Sequence, residues 1–376
     1  MRVTNGMVRN NTLNSLYSNM ARLDTLYTQM STLKKVQRPS DDPIVTGRAL
    51  KLRVNVLEVG QYKSNTDEAT SWMSVTEKAL SNITEIIKDI RTRCVQASTD
   101  TLEASDREKI KVDIDQLWQQ LQQEANATYV GRHVFSGYKT NEPIVLAKDT
   151  VLKENVITSD SILLNGETIL KAGTIIPSPI TLKNATVIPA GTLGADISVP
   201  EGTILPAATE LPAGTILPKG TINPNVLGKT DDQRIQYEIG VGSTITVNTL
   251  GMDSLMSGIL TDVSKIKNDL DAYIDGTAGA NIDLHQLFQE KIGDFDKKLS
   301  KLSEMTADLG SRMVRLEYTA SRLEDDKTNF TELLSKTEDV DLEEIYTQFN
   351  AQYAVYQSAL QATSKVIMNT LADFLR

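Results

Sequence analysis

Near the N-terminus, apolar positions fall at Leu13, Leu16, Met20, Leu23, Tyr27 and Met30, in steps of 3-4-3-4-3. That spacing is one face of an α-helix and, kept up over heptads, the seam of a coiled coil. It predicts a helix over 5–37. Gln37-Arg-Pro-Ser-Asp-Asp-Pro43 then breaks the pattern, with two prolines and good capping residues. A second helix is expected over about 46–97. Ser105-Asp-Arg-Glu108 has the spacing of a capping box. It opens a third expected helix, over 106–130, with Ile110, Ile114, Leu117 and Leu121 on one face. Beyond the middle of the chain, Ile235, Tyr237 and Ile239, then Ile245 and Val247, alternate as in a β-hairpin over 233–250. Helical spacing returns over about 253–275 and 283–335. Asp339-Val-Asp341 can cap a last helix. That helix carries Leu342, Ile345, Phe349, Tyr353, Tyr356, Leu360, Ile367, Leu371 and Phe374 at mostly three- and four-residue steps.

The stretch 141–230 differs in kind. It has no Phe, Tyr or Trp and holds nine of the eleven prolines, Pro143 to Pro224. Gly-Thr recurs at 173, 191, 202, 214 and 220, flanked by Pro and by Ile-Leu pairs. Pro/Ala-Gly marks a turn and Thr-Ile-Leu a short strand. The unequal gaps argue against a strict solenoid and for a small all-β module of tight hairpins. The segments 44–142 and 225–376 are free of proline, as long helices require. The chain therefore reads as mainly α with a β insertion.

Composition narrows the function. Net charge is −10 with no Lys/Arg-rich run, which argues against nucleic acid and against an anionic membrane surface. No apolar run is long enough to span a bilayer. The opening MRVTNGMVRNNTLNSL lacks an apolar h-region, so no cleaved secretory signal is expected. One cysteine, Cys94, excludes an internal disulfide and any multi-cysteine zinc site. The two histidines, His133 and His285, fit no metal or triad spacing and read as surface or packing residues. Cys94 reads as a small buried hydrophobe. Asp41-Asp42 reads as a cap or turn rather than a carboxylate pair, and Gly240-Val-Gly242 as a hairpin turn. The acids Glu338-Asp339, Asp341 and Glu343-Glu344 read as favouring a helix N-terminus through its dipole. Gly in the insertion supplies turns, because the strand–GxGxxG–helix context is missing. No nucleophile–base pair or metal constellation is present. No enzyme activity, metal or cofactor is expected.

The two terminal stripes are narrow for the length of chain they must order. Paired with each other, they leave most of each helix wet. The arms either need neighbours from other subunits or close an ordinary antiparallel bundle within one chain; periodicity alone does not choose.

The ends resemble the flagellin superfamily. Arg38-Pro-Ser-Asp-Asp-Pro43 and the following Val45-Thr-Gly-Arg-Ala-Leu50 fit its element after the first helix. Gly131-Arg-His-Val-Phe-Ser-Gly-Tyr-Lys-Thr-Asn-Glu-Pro143 resembles the signature of the FlgL-type, hook–filament junction branch. Leu309-Gly-Ser-Arg312, with Arg315 and Leu316, resembles an L-G-x-R-x-x-R-L run. Asn350 to Leu360, leading to Leu371-Ala-Asp-Phe-Leu375, resembles the C-terminal helix. The resemblance spans about 1–143 and 231–376.

The resemblance implies an elongated helical bundle with paired N- and C-terminal helices, a β-rich hairpin region and a small all-β domain. Residues 1–40 and 339–376 would be terminal arms (D0-like). Residues 41–143 and 230–338 would form the helical bundle with its hairpin (D1-like), and 144–229 the outward insertion (D2-like). It implies a structural adaptor between hook and filament, exported unfolded without a cleaved signal and assembled as a ring through the two stripes named above. Its partners would be a FlgK-type hook-associated protein, flagellin, copies of itself and a flagellar export chaperone. Two alternatives stay open: a filament-forming flagellin, and a surface binding protein whose β module sits on a helical stalk. The insertion is expected to be an accessory to assembly.

Overall fold

Capping side chains set where the helices begin. In this computed structural model, which describes residues 5–98, 103–164, 166–182, 187–200, 202–228, 230, 232–274 and 284–374, the helices are α1 (Asn5–Thr32), α2 (Pro43–Ala97), α3 (Ala104–Ala125), α4 (Met252–Ile274), α5 (Leu284–Glu338) and α6 (Leu342–Phe374). Asp42 caps α2: its Oδ1 accepts from the amides of Ile44 and Val45, both at 3.0 Å. Pro43 takes the first helical position, where its missing N–H costs nothing. Asp341 caps α6 in the same way, accepting from Glu343 and Glu344.

Three sequence expectations shift. α1 stops at Thr32, not 37, because Leu33 enters the left-handed region at φ 61°. The Ser105 capping box is not used. α3 begins at Ala104 behind Glu103, which makes no side-chain cap bond. α3 also ends at Ala125 rather than 130, and a hairpin follows: β1 (Thr128–Tyr129) with β2 (Arg132–His133). The later hairpin stands where alternation placed it, β15 (Gln236–Gly240) against β16 (Ser243–Thr246), turning at Val241-Gly242.

The insertion is β, but it is not a row of tight hairpins. Six short strands run out: β3 (Thr150–Val151), β4 (Val156–Ile157), β5 (Ile162–Leu163), β6 (Thr168–Leu170), β7 (Ile175–Ile176) and β8 (Ile180–Thr181). Six run back: β9 (Val187–Ile188), β10 (Gly191–Thr192), β11 (Ile197–Val199), β12 (Ile204–Leu205), β13 (Glu210–Leu211) and β14 (Ile216–Leu217). Their pairing is nested. Val145 faces Ile222, then Val151 faces Ile216, Ile157 Glu210, Leu163 Ile204, Ile169 Ser198 and Ile175 Thr192. This is one long antiparallel ribbon, advancing six residues per step on each side. Glu210 also pairs with Ile175, eighteen residues beyond its first partner Ile157. The ribbon therefore coils on itself, three steps to a turn.

The six-residue step explains the sequence repeat. From Pro200 to Thr221 the corners on the returning side share the frame Pro-x-Gly-Thr, and its glycine has positive φ: Gly202 82°, Gly214 86° and Gly220 83°. A turn of this kind needs a left-handed residue there. Ala208 occupies the equivalent position at φ 62°, so from 200 to 221 the frame keeps a six-residue spacing with alanine once in place of glycine; one step earlier Gly194-Ala-Asp-Ile197 departs from it. The Thr hydroxyls of 203, 209 and 215 bond back to the carbonyls of Pro200, Pro206 and Pro212 at 2.7, 2.7 and 2.8 Å. Val199, Leu205, Leu211 and Leu217 then fill the inside of the coil, all buried.

The chain packs as two compact units, 1–63 with 321–376, and 64–320. The second holds a continuous apolar core running through α2 (Trp72, Leu80, Ile87), α3, the coil, α4 and α5 (Phe295, Leu309). α4 lies against β5, and Ser257 Oγ donates to Ser161 O at 3.1 Å. Packing thus joins the insertion to the hairpin region in one unit.

Candidate assembly surface

The first unit is built on the antiparallel pair α1–α6. The Tyr27 and Phe349 rings meet at 6.5 Å, Phe349 stacks on Tyr353 at 6.2 Å, and Gln352 reaches Asn19 at 3.4 Å. On α1, Leu13, Leu16, Leu23 and Met30 are half-buried, while Met20 and Tyr27 are 54% and 56% exposed. On α6, Ile345 is buried and Phe349 and Tyr356 are half-buried; Leu342, Tyr353 and Leu360 are exposed. The side chains of Ile367, Leu371 and Phe374 lie outside the described residues. The pair therefore brings both stripes together but covers neither.

Other apolar side chains join this wet surface. Met7, Val8 and Tyr17 of α1, and Tyr346 and Val355 of α6, are exposed. So are Leu50, Val54 and Leu57, a 4-3 stripe on the first part of α2 that the sequence reading passed over. Its spacing alone was enough to find it. A shallow groove runs along the pair between Arg22, Thr25 and Leu26 on one side and Gln348, Ala351 and Val355 on the other.

Charge holds the base of the pair. Lys35 N donates to Glu338 O at 2.7 Å and Val340 N to Leu33 O at 3.1 Å, around a bridge between Lys34 and Asp339. The Glu338 side chain is buried. It accepts from Arg53 Nε at 3.0 Å and again from Arg53 Nη2, and lies 3.2 Å from Lys34 Nζ. Hydrogen bonds from Arg53, opposed by burial and helped by Lys34, hold its carboxyl below the ordinary carboxylate range. Lys34 also donates to Asp339 at 2.7 Å, and this bond lowers Asp339 and raises Lys34. Glu338 therefore does not act on the dipole of α6, as its place in the acid run suggested. It ends α5 as a buried carboxylate paired with an Arg53 side chain that is 55% exposed.

In the second unit the quoted motifs have structural jobs. Val134, Phe135 and Ser136 are buried. Gly137 sits at φ 59°, where a Cβ would collide with Gln233 Oε1, the acceptor for Tyr138 N at 2.7 Å. Asn126 clasps Val145: its Oδ1 accepts from Val145 N at 3.0 Å and its Nδ2 donates to Val145 O at 2.7 Å. This stretch therefore ties the start of the insertion to the chain leaving it. Arg312 Nη1 donates to the carbonyls of Thr246 and Asn248, at 2.7 and 3.1 Å. Arg315 donates to Ser243 Oγ, so the run that includes Leu309 and Leu316 pins β16 to α5.

The remaining reactive groups are quiet. Burial pushes the Cys94 thiol up to about 12, which keeps it protonated and inert. His133 Nδ1 lies 3.1 Å from Asn126 O, and the His285 side chain lies outside the described residues. Asp41 accepts from Arg38 N in the turn before α2. Asp262 binds both Lys291, at 3.1 Å, and Lys298. Burial works against its charge, but the two lysines still hold Asp262 below the ordinary range. Among the described residues no group of three His, Cys, Asp or Glu is arranged to hold a metal.

The chain resembles known proteins at both ends. The bacterial flagellin N-terminal helical region matches residues 3–140, and the bacterial flagellin C-terminal helical region matches 292–374. Flagellar hook-associated protein 3 of Salmonella typhimurium is 34% identical over 141 residues, covering 37% of this chain and 44% of the relative. The Escherichia coli protein of the same name is 36% identical over 141 residues, with the same coverage. The chain thus spans less than half the length of these relatives. A solved flagellar hook-associated protein from Vibrio parahaemolyticus shares the fold, with a TM-score of 0.50 and 14% identity over 80% of this chain and 100% of that one. The matched regions stop short of 231–291, which the resemblance read from the motifs had included. They still cover more than half of the 376 residues, and contain α1, α2 and α6 entire, α3 and most of α5. By these two regions the chain belongs to the flagellin family.

Proposed function

We propose that this chain is a structural adaptor of the bacterial flagellum that joins hook to filament. Copies assemble as a ring through α1 and α6. The supporting observation is the arm pair itself. Two long helices bring their apolar stripes together and leave Met20, Tyr27, Leu342, Tyr353 and Leu360 in water. A run of uncovered apolar side chains along two paired helices supports a surface meant for other proteins. Leu13, Leu16, Leu23, Met30, Ile345, Phe349 and Tyr356, together with Ile367, Leu371 and Phe374, complete the assembly surface in this reading.

The junction role, rather than the filament role, is favoured by the Gly131–Pro143 stretch and by the two relatives named flagellar hook-associated protein 3. In this reading the chain contacts a FlgK-type protein on the hook side and flagellin on the other. It meets an export chaperone before secretion, and it is extracellular without a cleaved signal. The residues do structural work and no catalysis.

The test is a strain lacking the chain. Hooks without filaments, with monomeric flagellin shed into the medium, are the expected result. Normal filaments overturn the proposal and leave the surface-binding alternative. Bare hooks with no flagellin in the medium instead identify the chain as the filament subunit.

A further inference from the structure

We propose that Val130, at the tip of the β1–β2 hairpin, is an assembly contact that seats in the α2–α3 groove of a second copy of this chain. Thr128 faces His133 and Tyr129 faces Arg132, so two residues, Val130 and Gly131, make the turn. Both are left-handed, at φ 48° and 75°. Such a turn is best made by Asn-Gly or Asp-Gly. Valine, branched at Cβ, is among the residues least suited to a positive φ. The strain brings no packing inside the chain, because Val130 is 82% exposed. A strained residue whose side chain stands in water points to a contact outside the chain. The next hairpin is alike: Val241, in the β15–β16 turn, is 87% exposed. Both hairpins sit on the same stretch of α2. Tyr129 meets Trp72 at 5.8 Å, and Tyr237 Oη donates to Glu68 at 3.1 Å.

The same unit carries a recess of matching kind. α2 and α3 leave a groove of about 470 Å³, lined by Asp89, Val112, Asp113 and Leu117 among others. Val112 is exposed there and Leu117 is half-buried, so an apolar knob has apolar side chains to cover. Charge matches as well. Arg132, beside the tip, is exposed and has no carboxylate partner among the described residues. Asp89, at the groove, has no cationic partner among them, whereas Asp113 lies 3.3 Å from Arg93. Tip and groove sit at different levels of α2, near Glu68 and near Thr92, about 36 Å apart at 1.5 Å per residue. One surface on each of two copies makes a head-to-tail contact, the kind that repeats around a closed ring. The contact presupposes the ring of copies proposed above.

A photo-crosslinking amino acid placed at position 130 and, in a second strain, at position 112 tests the contact in purified hook–filament structures. Crosslinks between two copies of the chain are expected, joining 128–133 of one to 89–117 of the next. Absence of the chain from those structures removes the ring and the contact together. A chain that is present but crosslinks from neither position overturns the contact alone. So does a crosslink only to flagellin, to another protein, or to a copy outside α2 and α3. Substitution then separates contact from folding. Val130→Asn suits the left-handed turn. It should raise the thermal midpoint read by Trp72, which meets Tyr129, by about 2–3 °C. The same variant should lower incorporation about tenfold, through the lost burial of one valine. Val130→Ile keeps both the branch and the apolar surface, and should change neither reading. Normal incorporation of Val130→Asn overturns the inference. A midpoint that stays or falls in Val130→Asn also overturns it, because the turn is then not strained.

Discussion

The two units draw on the same kinds of residue and bury them very differently. Among the described residues of 1–63 and 321–376, the buried apolar side chains are Ala49, Val59, Leu323 and Ile345. The same unit leaves sixteen large apolar side chains exposed. Residues 64–320 instead share one core that runs from Ala69 to Leu316. A helix pair two helices wide can bury only its seam, whereas helices, coil and hairpin together surround an interior. The second unit carries its own stability. The first unit is held by a thin seam and a cluster of charges, and it leaves the apolar surface uncovered that the proposed assembly would use.

The sharpest way to break this contrast is to charge the seam. Leu16→Asp or Leu360→Asp should abolish incorporation into the flagellum, because an unpaired charge cannot be buried at a subunit contact. Both tryptophans, Trp72 and Trp118, lie in the second unit, so thermal unfolding followed by tryptophan fluorescence should not move in either variant. A normal flagellum from either one removes the seam from assembly. The opposite experiment is Phe135→Ala. Phe135 is 1% exposed, and its loss should cost the second unit about 3–5 kcal/mol in the tryptophan-reported transition.

Acid should separate the units less drastically. Glu338 and Asp339 both lie below their ordinary values in the folded chain, held by Arg53 and by Lys34 respectively. Their contribution is present above those values and is lost as pH falls. Lys34 is raised by Asp339, so its share persists through neutral pH and is lost only above about 10.5. A fluorescent label on α1 should therefore report a transition at each end of the pH range in which Glu338→Gln shows a reduced acid step.

Removing 145–222 is a further test of where the boundary lies. The insertion was expected to be an accessory, yet the coil shares its core with α4 through β5. Its deletion uncovers Met256, Ile259 and Val263, all fully buried. The tryptophan-reported transition should fall, rather than stay where an independent appendage would leave it.

Much of this was legible in the sequence where the signal is local. The stripes, the Asp341 cap, the Asp42 cap beside Pro43 and the Val241-Gly242 turn all depend on neighbours within a few residues. The pairing of Arg53 with Glu338 was not legible. Arg53 and Glu338 are 285 positions apart, and an acid run beside a helix start has an obvious local reading. The coil was hidden for a different reason. Nested pairing joins residues as far apart as Val145 and Ile222, and Ala208 in place of a corner glycine, together with the departure of Gly194–Ile197 from the frame, makes the six-residue step look irregular.

That alanine offers the smallest and most informative test. Ala208 holds φ 62° at a corner where Gly202, Gly214 and Gly220 hold 82°, 86° and 83°. A residue with a Cβ pays about 1–2 kcal/mol to stay left-handed. Ala208→Gly relieves that strain, but it frees the unfolded chain by roughly 0.4–1 kcal/mol. The two effects oppose each other, and the strain is the larger. The variant should gain up to about 1 kcal/mol in the tryptophan-reported transition, with no change in assembly. The same substitution at an alanine inside α2, such as Ala79, should lose about 1 kcal/mol. If Ala208→Gly destabilises as Ala79→Gly does, the corner is not left-handed in solution. The six-residue step would then fail at its middle, and the insertion would not be a single coiled ribbon.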